Sequence, residues 1–276
     1  MPTRKLLLHP GTMQHLRQLR AHLPQSLLLT GARGVGLHTI ARDLAGRTLI
    51  QDITPQDKKG SYTPTAPISI ERIRELYALT RGKYTTPHFV IIDDADQLTA
   101  AAQNALLKLL EEPTANIHFV LTSHAPAQLL PTVQSRLTTV TITPISQAST
   151  TALITSLGIN DSATIAQLQF AATGLPAHII RLAEQPAQLE ALRSVMGDAR
   201  QFLTSTPYER LVLTTHHQSS RDQALAFVDA LQRLLERTIA AQADDRQLRL
   251  LDRSLDVYEQ LMANRNVKLQ LLRLVV

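Results

Sequence analysis

The sequence predicts an α/β domain built on a parallel sheet with helices on both faces, followed by a chain that is helical to its end. Three observations carry this. Up to Pro144, short β-branched or aliphatic runs alternate with helical patterns, as parallel strands joined by crossover helices require. Beyond Pro144 no stretch reads convincingly as a strand, and Leu-rich amphipathic segments take over. Apolar residues make up 44% of the 276 and aromatics only 4%, with no Trp, so Leu, Ile, Val and Ala must fill a sizeable core. That length suits two or three small domains, or one large one, at roughly 100 to 200 residues each.

Taken in order, Ser26–Leu29 is a short apolar strand ending in Thr30-Gly31, and a glycine-rich turn leads from it into a helix over Leu37–Leu49. Gln51–Pro67 holds three Pro, one Gly and the pair Lys58-Lys59 with little hydrophobic pattern, and reads as an exposed loop. Ser69 supplies an N-cap for a helix from Ile70 to about Thr80, whose Ile70, Ile73, Leu76 and Tyr77 fall at helical spacing. His88–Ile92 is a buried strand by composition and ends in Asp93-Asp94-Ala95-Asp96. Thr99 can cap the helix Ala100–Glu112, which stops before Pro113 because the residue ahead of a proline avoids the helical region. Ile117–Thr122 and the alternating Thr138–Ile142 complete the strands. In the second half, Gly158, Gly174-Leu175-Pro176 and Gln185-Pro186 punctuate the helices, and Ala224–Ala241 and Arg246–Met262 are long amphipathic segments.

Composition removes much chemistry before any motif is considered. With no Cys, disulfides, thiolate zinc sites, iron–sulfur clusters and cysteine nucleophiles are excluded. No apolar run approaches the ~18 residues of a membrane span, and Leu6–Leu8 falls short of the ~7–15 residues of a secretory core, so a cytoplasmic protein is expected, with no membrane partner. Residues 1–146 carry 15 basic and 10 acidic side chains, whereas residues 147–276 carry 13 of each. The excess in the first half suits contact with phosphate or an acidic partner, and equally a merely solvated surface.

Gly31-Ala32-Arg33-Gly34-Val35-Gly36 satisfies the first six positions of the phosphate-binding pattern G-x-x-x-x-G-K-[ST], between a strand and a helix as that loop requires. The next two positions fail. Leu37 stands where a Lys should reach the β- and γ-phosphates, and His38 where a hydroxyl should bind Mg²⁺. Thr39 carries a hydroxyl one residue late, about 100° around the helix at ~3.6 residues per turn. Two readings stand: a turn kept for its shape, or a loop whose amides at Gly31, Gly34 and Gly36 still bind phosphate or nucleotide. A loop without the charge and the metal ligand should not hydrolyse ATP. Asp93 and Asp94 sit where a second Walker motif presents its carboxylates, although the water-polarising Glu is replaced by the shorter Asp94. Helix capping and a solvated turn explain the same acids.

Asn104-Ala-Leu-Leu-Lys-Leu-Leu-Glu-Glu-Pro113 closely resembles the N-A-L-L-K-x-L-E-E-P signature of the AAA+ subunits of bacterial DNA polymerase III clamp loaders. Around it, Ile70–Leu76 resembles the family's helix ahead of the second Walker motif, and Leu121-Thr122-Ser123 its sensor 1 strand end. Thr132-Val133-Gln134-Ser135-Arg136-Leu137 is similar to its S-R-C segment, with Leu137 in place of Cys. These motifs cover about residues 10–185. The altered phosphate loop, the retained Ser135-Arg136 pair and Ala177 at the family's sensor 2 arginine resemble the delta-prime type more than the catalytic gamma/tau type. Two departures from many relatives are the missing four-Cys zinc module, replaced by Gln51–Pro67, and the missing Cys of the S-R-C segment.

The resemblance implies an AAA+ α/β core over 1–146, a small helical lid over 147–188 and an all-α collar for oligomerisation over 189–276. It implies a non-hydrolysing stator that supplies Arg136, with Ser135 beside it, as an arginine finger to ATP held by a neighbouring subunit. Gly31, Gly34, Gly36, Thr39, Asp93, Asp94 and Thr122 would line a vestigial nucleotide site. No cofactor is then required and no zinc is bound, while ATP or ADP as a structural ligand stays an open alternative. The implied partners are the delta and gamma/tau subunits, the sliding clamp and primer–template DNA. An active gamma/tau-type ATPase, and a protein-interaction module on the same fold, are the competing readings.

Overall fold

The structure is a computed structural model that describes residues 6–21, 23–57, 59–79, 82, 84–241 and 244–275. Lys58 and Thr80, named in the expectations above, lie outside these residues. The first elements in chain order are α1 (Pro10–Ala21), β1 (Ser26–Thr30), α2 (Leu37–Ala45), β2 (Leu49–Ile53), α3 (Ile70–Leu79) and β3 (His88–Ile92). Then come α4 (Ala100–Glu111), β4 (Ile117–Ser123), α5 (Pro131–Gln134) and β5 (Thr138–Thr141). The rest is helical: α6 (Gln147–Ser156), α7 (Ser162–Ala172), α8 (Pro176–Glu184), α9 (Pro186–Thr204), α10 (Pro207–His216), α11 (Arg221–Ala241), α12 (Asp245–Met262) and α13 (Val267–Leu272).

The five strands form one sheet in the order β2-β3-β4-β1-β5, and every pairing is parallel. The inner strands explain why the sequence reads as apolar runs there. In β1 and β3 nearly every residue is buried, because helices cover both faces of a parallel sheet. Leu28, Val90, Ile92, Phe119 and Leu121 pack with Leu106 of α4 into a continuous core. Thr99 caps α4 as expected, its side chain accepting a hydrogen bond from Ala102 N at 3.2 Å.

Three elements differ from the sequence expectation. The helix after the glycine loop stops at Ala45, where Gly46 takes φ +54°, and Leu49–Ile53 is a strand at the sheet's edge, so part of the predicted loop is ordered sheet. An edge strand only half-covered by its neighbours needs no strong apolar pattern, and only Ile53 of β2 is fully buried. Helix α1 was also absent from the sequence reading; Thr12 and Leu16 are its buried residues.

The chain divides into two compact units, Met1–Arg181 and Leu182–Val276. The second holds no strand among the described residues, and Phe202, Phe227, Leu231, Leu235, Val257 and Leu261 form its interior. No helix among the described residues is long and apolar enough to cross a membrane.

Candidate functional site

Because every strand is parallel, the carboxyl ends of β1, β3 and β4 share one edge of the sheet, where ligands of open α/β sheets bind. The glycine loop, Asp93-Asp94 and Thr122-Ser123 all start there. Gly34 and Gly36 adopt φ +95° and +96°, left-handed conformations that glycine takes without steric cost. The space around them is filled by the chain itself. Gly34 O accepts hydrogen bonds from Ala177 N at 3.0 Å and His178 N at 3.1 Å, two amides in the first turn of α8. A Cβ at Gly34 would lie 2.9 Å from His178 Cβ, and one at Gly36 would lie 2.5 Å from Leu6 Cδ2. At Gly31 a Cβ would lie 2.8 Å from Ile142 O.

The two positions that break the phosphate-loop pattern are equally committed. Leu37 is 2% exposed and belongs to the core. His38 Nε2 lies 3.0 Å from both oxygens of Asp52, and Arg42 Nη1 stands 3.6 Å from the same carboxylate. Burial works against the imidazolium of His38. The hydrogen bond to Asp52 and the charges of Asp93 and Asp52 outweigh it, so the pKa is raised above 6.5. Thr39 follows on α2, half-buried.

At the ends of β3 and β4 the acids are buried and hydrogen-bonded within the chain, except that Asp94 Oδ1 has no hydrogen-bond partner. Asp93 is 6% and Asp94 1% exposed. The Thr122 hydroxyl donates to Asp93 Oδ1 at 2.6 Å and accepts from Asp94 N at 3.0 Å. Burial raises the Asp93 pKa, with the Asp94 charge adding to it and His38 and the Thr122 bond opposing it. Asp94 sits at φ 46°, and its Oδ2 accepts from the Tyr62 hydroxyl at 2.8 Å. Its Oδ1 stands 3.7 Å from both Arg33 Nη1 and His124 Nε2. Burial and the neighbouring Asp94 carboxylate push the Tyr62 phenol well above its usual pKa. Asp96 accepts from Ser123 Oγ at 2.7 Å and His124 N at 3.1 Å, and these bonds hold its pKa low against the cost of burial. No group of three or more His, Cys, Asp or Glu able to hold a metal ion occurs among the described residues.

The structure thus gathers Gly31, Gly34, Gly36, Asp93, Asp94 and Thr122 at one edge, together with four residues that the sequence reading missed: Arg33, Asp52, Tyr62 and His124. Arg33 and His124 carried a signal, since each lies within or beside a motif. Asp52 and Tyr62 carried none, because both fall in the stretch read as a patternless loop.

Ser135 and Arg136 form a separate, exposed cluster. Ser135 is the C-cap of α5, and its hydroxyl donates to Thr132 O at 3.1 Å. Arg136 Nη1 donates to Thr132 O at 2.8 Å and to Ser135 Oγ at 3.3 Å, while Nη2 pairs with Glu111 Oε1 of α4 at 2.7 Å.

The fold is a parallel α/β core with a phosphate-loop-like turn and paired acids at the carboxyl edge of its sheet. A family profile described as "DNA polymerase III, delta subunit" matches residues 50–146. The chain is 30% identical over 245 residues to the DNA polymerase III subunit delta' of Pseudomonas aeruginosa, covering 80% of this chain and 65% of that protein. It is 31% identical over 133 residues to the gamma/tau subunit of Mycobacterium tuberculosis, covering 40% of this chain and 22% of that protein. The chain therefore spans less than two thirds of the length of either relative. A gamma subunit-related protein of DNA polymerase III from Thermotoga maritima shares the fold at TM-score 0.54 and 18% identity, covering 96% of this chain and 97% of that one. By these likenesses the chain is similar to subunits of bacterial DNA polymerase III, and to a delta' subunit over 80% of its own length.

Proposed function

We propose that this chain is a clamp-loader subunit of delta-prime type, which does not hydrolyse ATP and presents Arg136 to ATP held by a neighbouring subunit during sliding-clamp loading. One observation carries the non-hydrolysing part: the positions that should meet Mg²⁺ and phosphate are taken by the chain's own groups. His38 is paired to Asp52 and Leu37 is in the core. These residues do not fit a bound Mg²⁺–nucleotide, so no cofactor is assigned and no step is derived through one. Asp94 is held at Oδ2 by the Tyr62 hydroxyl, while its Oδ1, 3.7 Å from Arg33 and His124, makes no hydrogen bond where an ATPase would position water.

Arg136 is suited to act outward, because it is exposed and its side chain ends in a planar fork that matches phosphate oxygens. A guanidinium supplied from outside a nucleotide site stabilises charge that develops in phosphoryl transfer. In this reading the lid spans 147–188, the collar 189–276 joins the delta and gamma/tau subunits, and the assembled ring meets the sliding clamp and primer–template DNA in the cytoplasm.

The test is a loader reconstituted with delta and gamma/tau subunits. Arg136→Ala should leave assembly intact and lower DNA-stimulated ATP hydrolysis at the site it serves, by about 10³- to 10⁵-fold. Arg136→Lys should recover only part, since it keeps the charge and loses the fork. Weaker assembly with unchanged hydrolysis per complex would overturn the trans role. Turnover by the purified chain alone above ~0.1 s⁻¹ would overturn the non-hydrolysing one.

A further inference from the structure

We infer that Glu111 is a positioning residue that holds Arg136 back in the unassembled chain, so that docking onto a neighbour exchanges a carboxylate for a phosphate. The inference rests on the trans role proposed for Arg136. Its evidence is the set of contacts Arg136 makes. Nη2 is engaged by Glu111 Oε1 at 2.7 Å, and Nη1 by Thr132 O at 2.8 Å and Ser135 Oγ at 3.3 Å. Both terminal nitrogens of the fork therefore have partners before any phosphate arrives.

Glu111 is placed for this by α4. It is the helix's last residue, followed by Glu112 and Pro113, and the carboxyl end of a helix favours a cation beside it. Both partners are substantially exposed, at 36% for Arg136 and 47% for Glu111. An exposed single ion pair adds little to folding stability, so the fold does not depend on this contact. It does set a competition. A phosphate must displace the carboxylate, and apparent affinity falls by the fraction of chains in which the guanidinium is released.

The experiment titrates the chain into gamma/tau and delta subunits with primed DNA and clamp, and reads ATP hydrolysis. Glu111→Gln keeps the shape and removes the charge. It should lower the half-saturating concentration of the chain by about 1.4- to 5-fold, the range that an exposed ion pair spans, with the gain there rather than in the rate at saturation. Glu111→Asp, which keeps the charge, should return toward the unsubstituted value. In an Arg136→Ala background, Glu111→Gln should change nothing, since the two residues act through one another. An equal shift in both backgrounds, no shift, or a rise in the half-saturating concentration overturns the inference and leaves the trans role standing. If Arg136→Ala itself leaves hydrolysis unchanged, the trans role fails and this inference with it.

Discussion

His38 is the residue at which the loop departs most clearly from a metal site, and its environment makes a prediction about pH. Its folded pKa is raised above 6.5 by Asp52 and Asp93 despite burial, so the folded state binds the proton more tightly than the unfolded chain does. The stability it contributes is fully present below about pH 6.5 and is lost as pH rises through the folded value. His38→Gln should therefore lower the melting temperature most at pH 6 and progressively less toward pH 9, measured against the unsubstituted chain at each pH. A deficit that is constant or grows with pH would show that the imidazolium is not what Asp52 holds. The failure of the metal-hydroxyl position was legible in the sequence, whereas the partner was not. Asp52 lies 14 residues from His38 on a strand with no apolar alternation to announce it, and only the folding of α2 beside β2 brings the two together.

Elements decide what the glycine loop is for. Its order of strand, loop and helix was legible because β1 is an uninterrupted apolar run and the glycines are spaced for a turn. What it meets was not, since Leu175, Ala177 and His178 come from α8 and the turn before it, about 140 residues on. A substitution separates backbone strain from this packing. Gly34 and Gly158 both have positive φ, at +95° and +81°, but a Cβ at Gly34 would meet His178 and Leu175, whereas one at Gly158 would meet nothing within 4 Å. Each Ala variant carries the left-handed cost of about 1–2 kcal/mol. Gly34→Ala should cost a further ~1–3 kcal/mol from overpacking against α8, read from urea unfolding followed by circular dichroism. Equal losses would mean that α8 does not sit against the loop in solution. Short edge elements remain the hardest to see from sequence: β2 and α1 bury few side chains, so selection for apolar period is weak in both.

On the scale of the whole chain, the change from alternating elements to helices at Pro144 was legible from periodicity alone. The division into two compact units falls later, between Arg181 and Leu182, within α8. A helix that crosses such a boundary leaves no turn residue to mark it. If the units are energetically separate, damage to one should spare the other. Phe227 is the place to test this, since it is fully buried, its ring stacks on His217 at 4.5 Å and meets Phe202 edge-on at 5.7 Å. Phe227→Ala removes that centre and should cost about 3–5 kcal/mol, a large share of the ~5–15 kcal/mol that holds an ordinary domain. Hydrogen exchange read by mass spectrometry should show amides of α9, α11 and α12 losing protection while those of β1, β3 and β4 keep theirs. The variant should also fail to join delta and gamma/tau subunits, because the proposed collar is the unit that has been loosened. Equal loss of protection in the sheet would make the chain one cooperative unit. The loss of assembly could then no longer be assigned to residues 189–276.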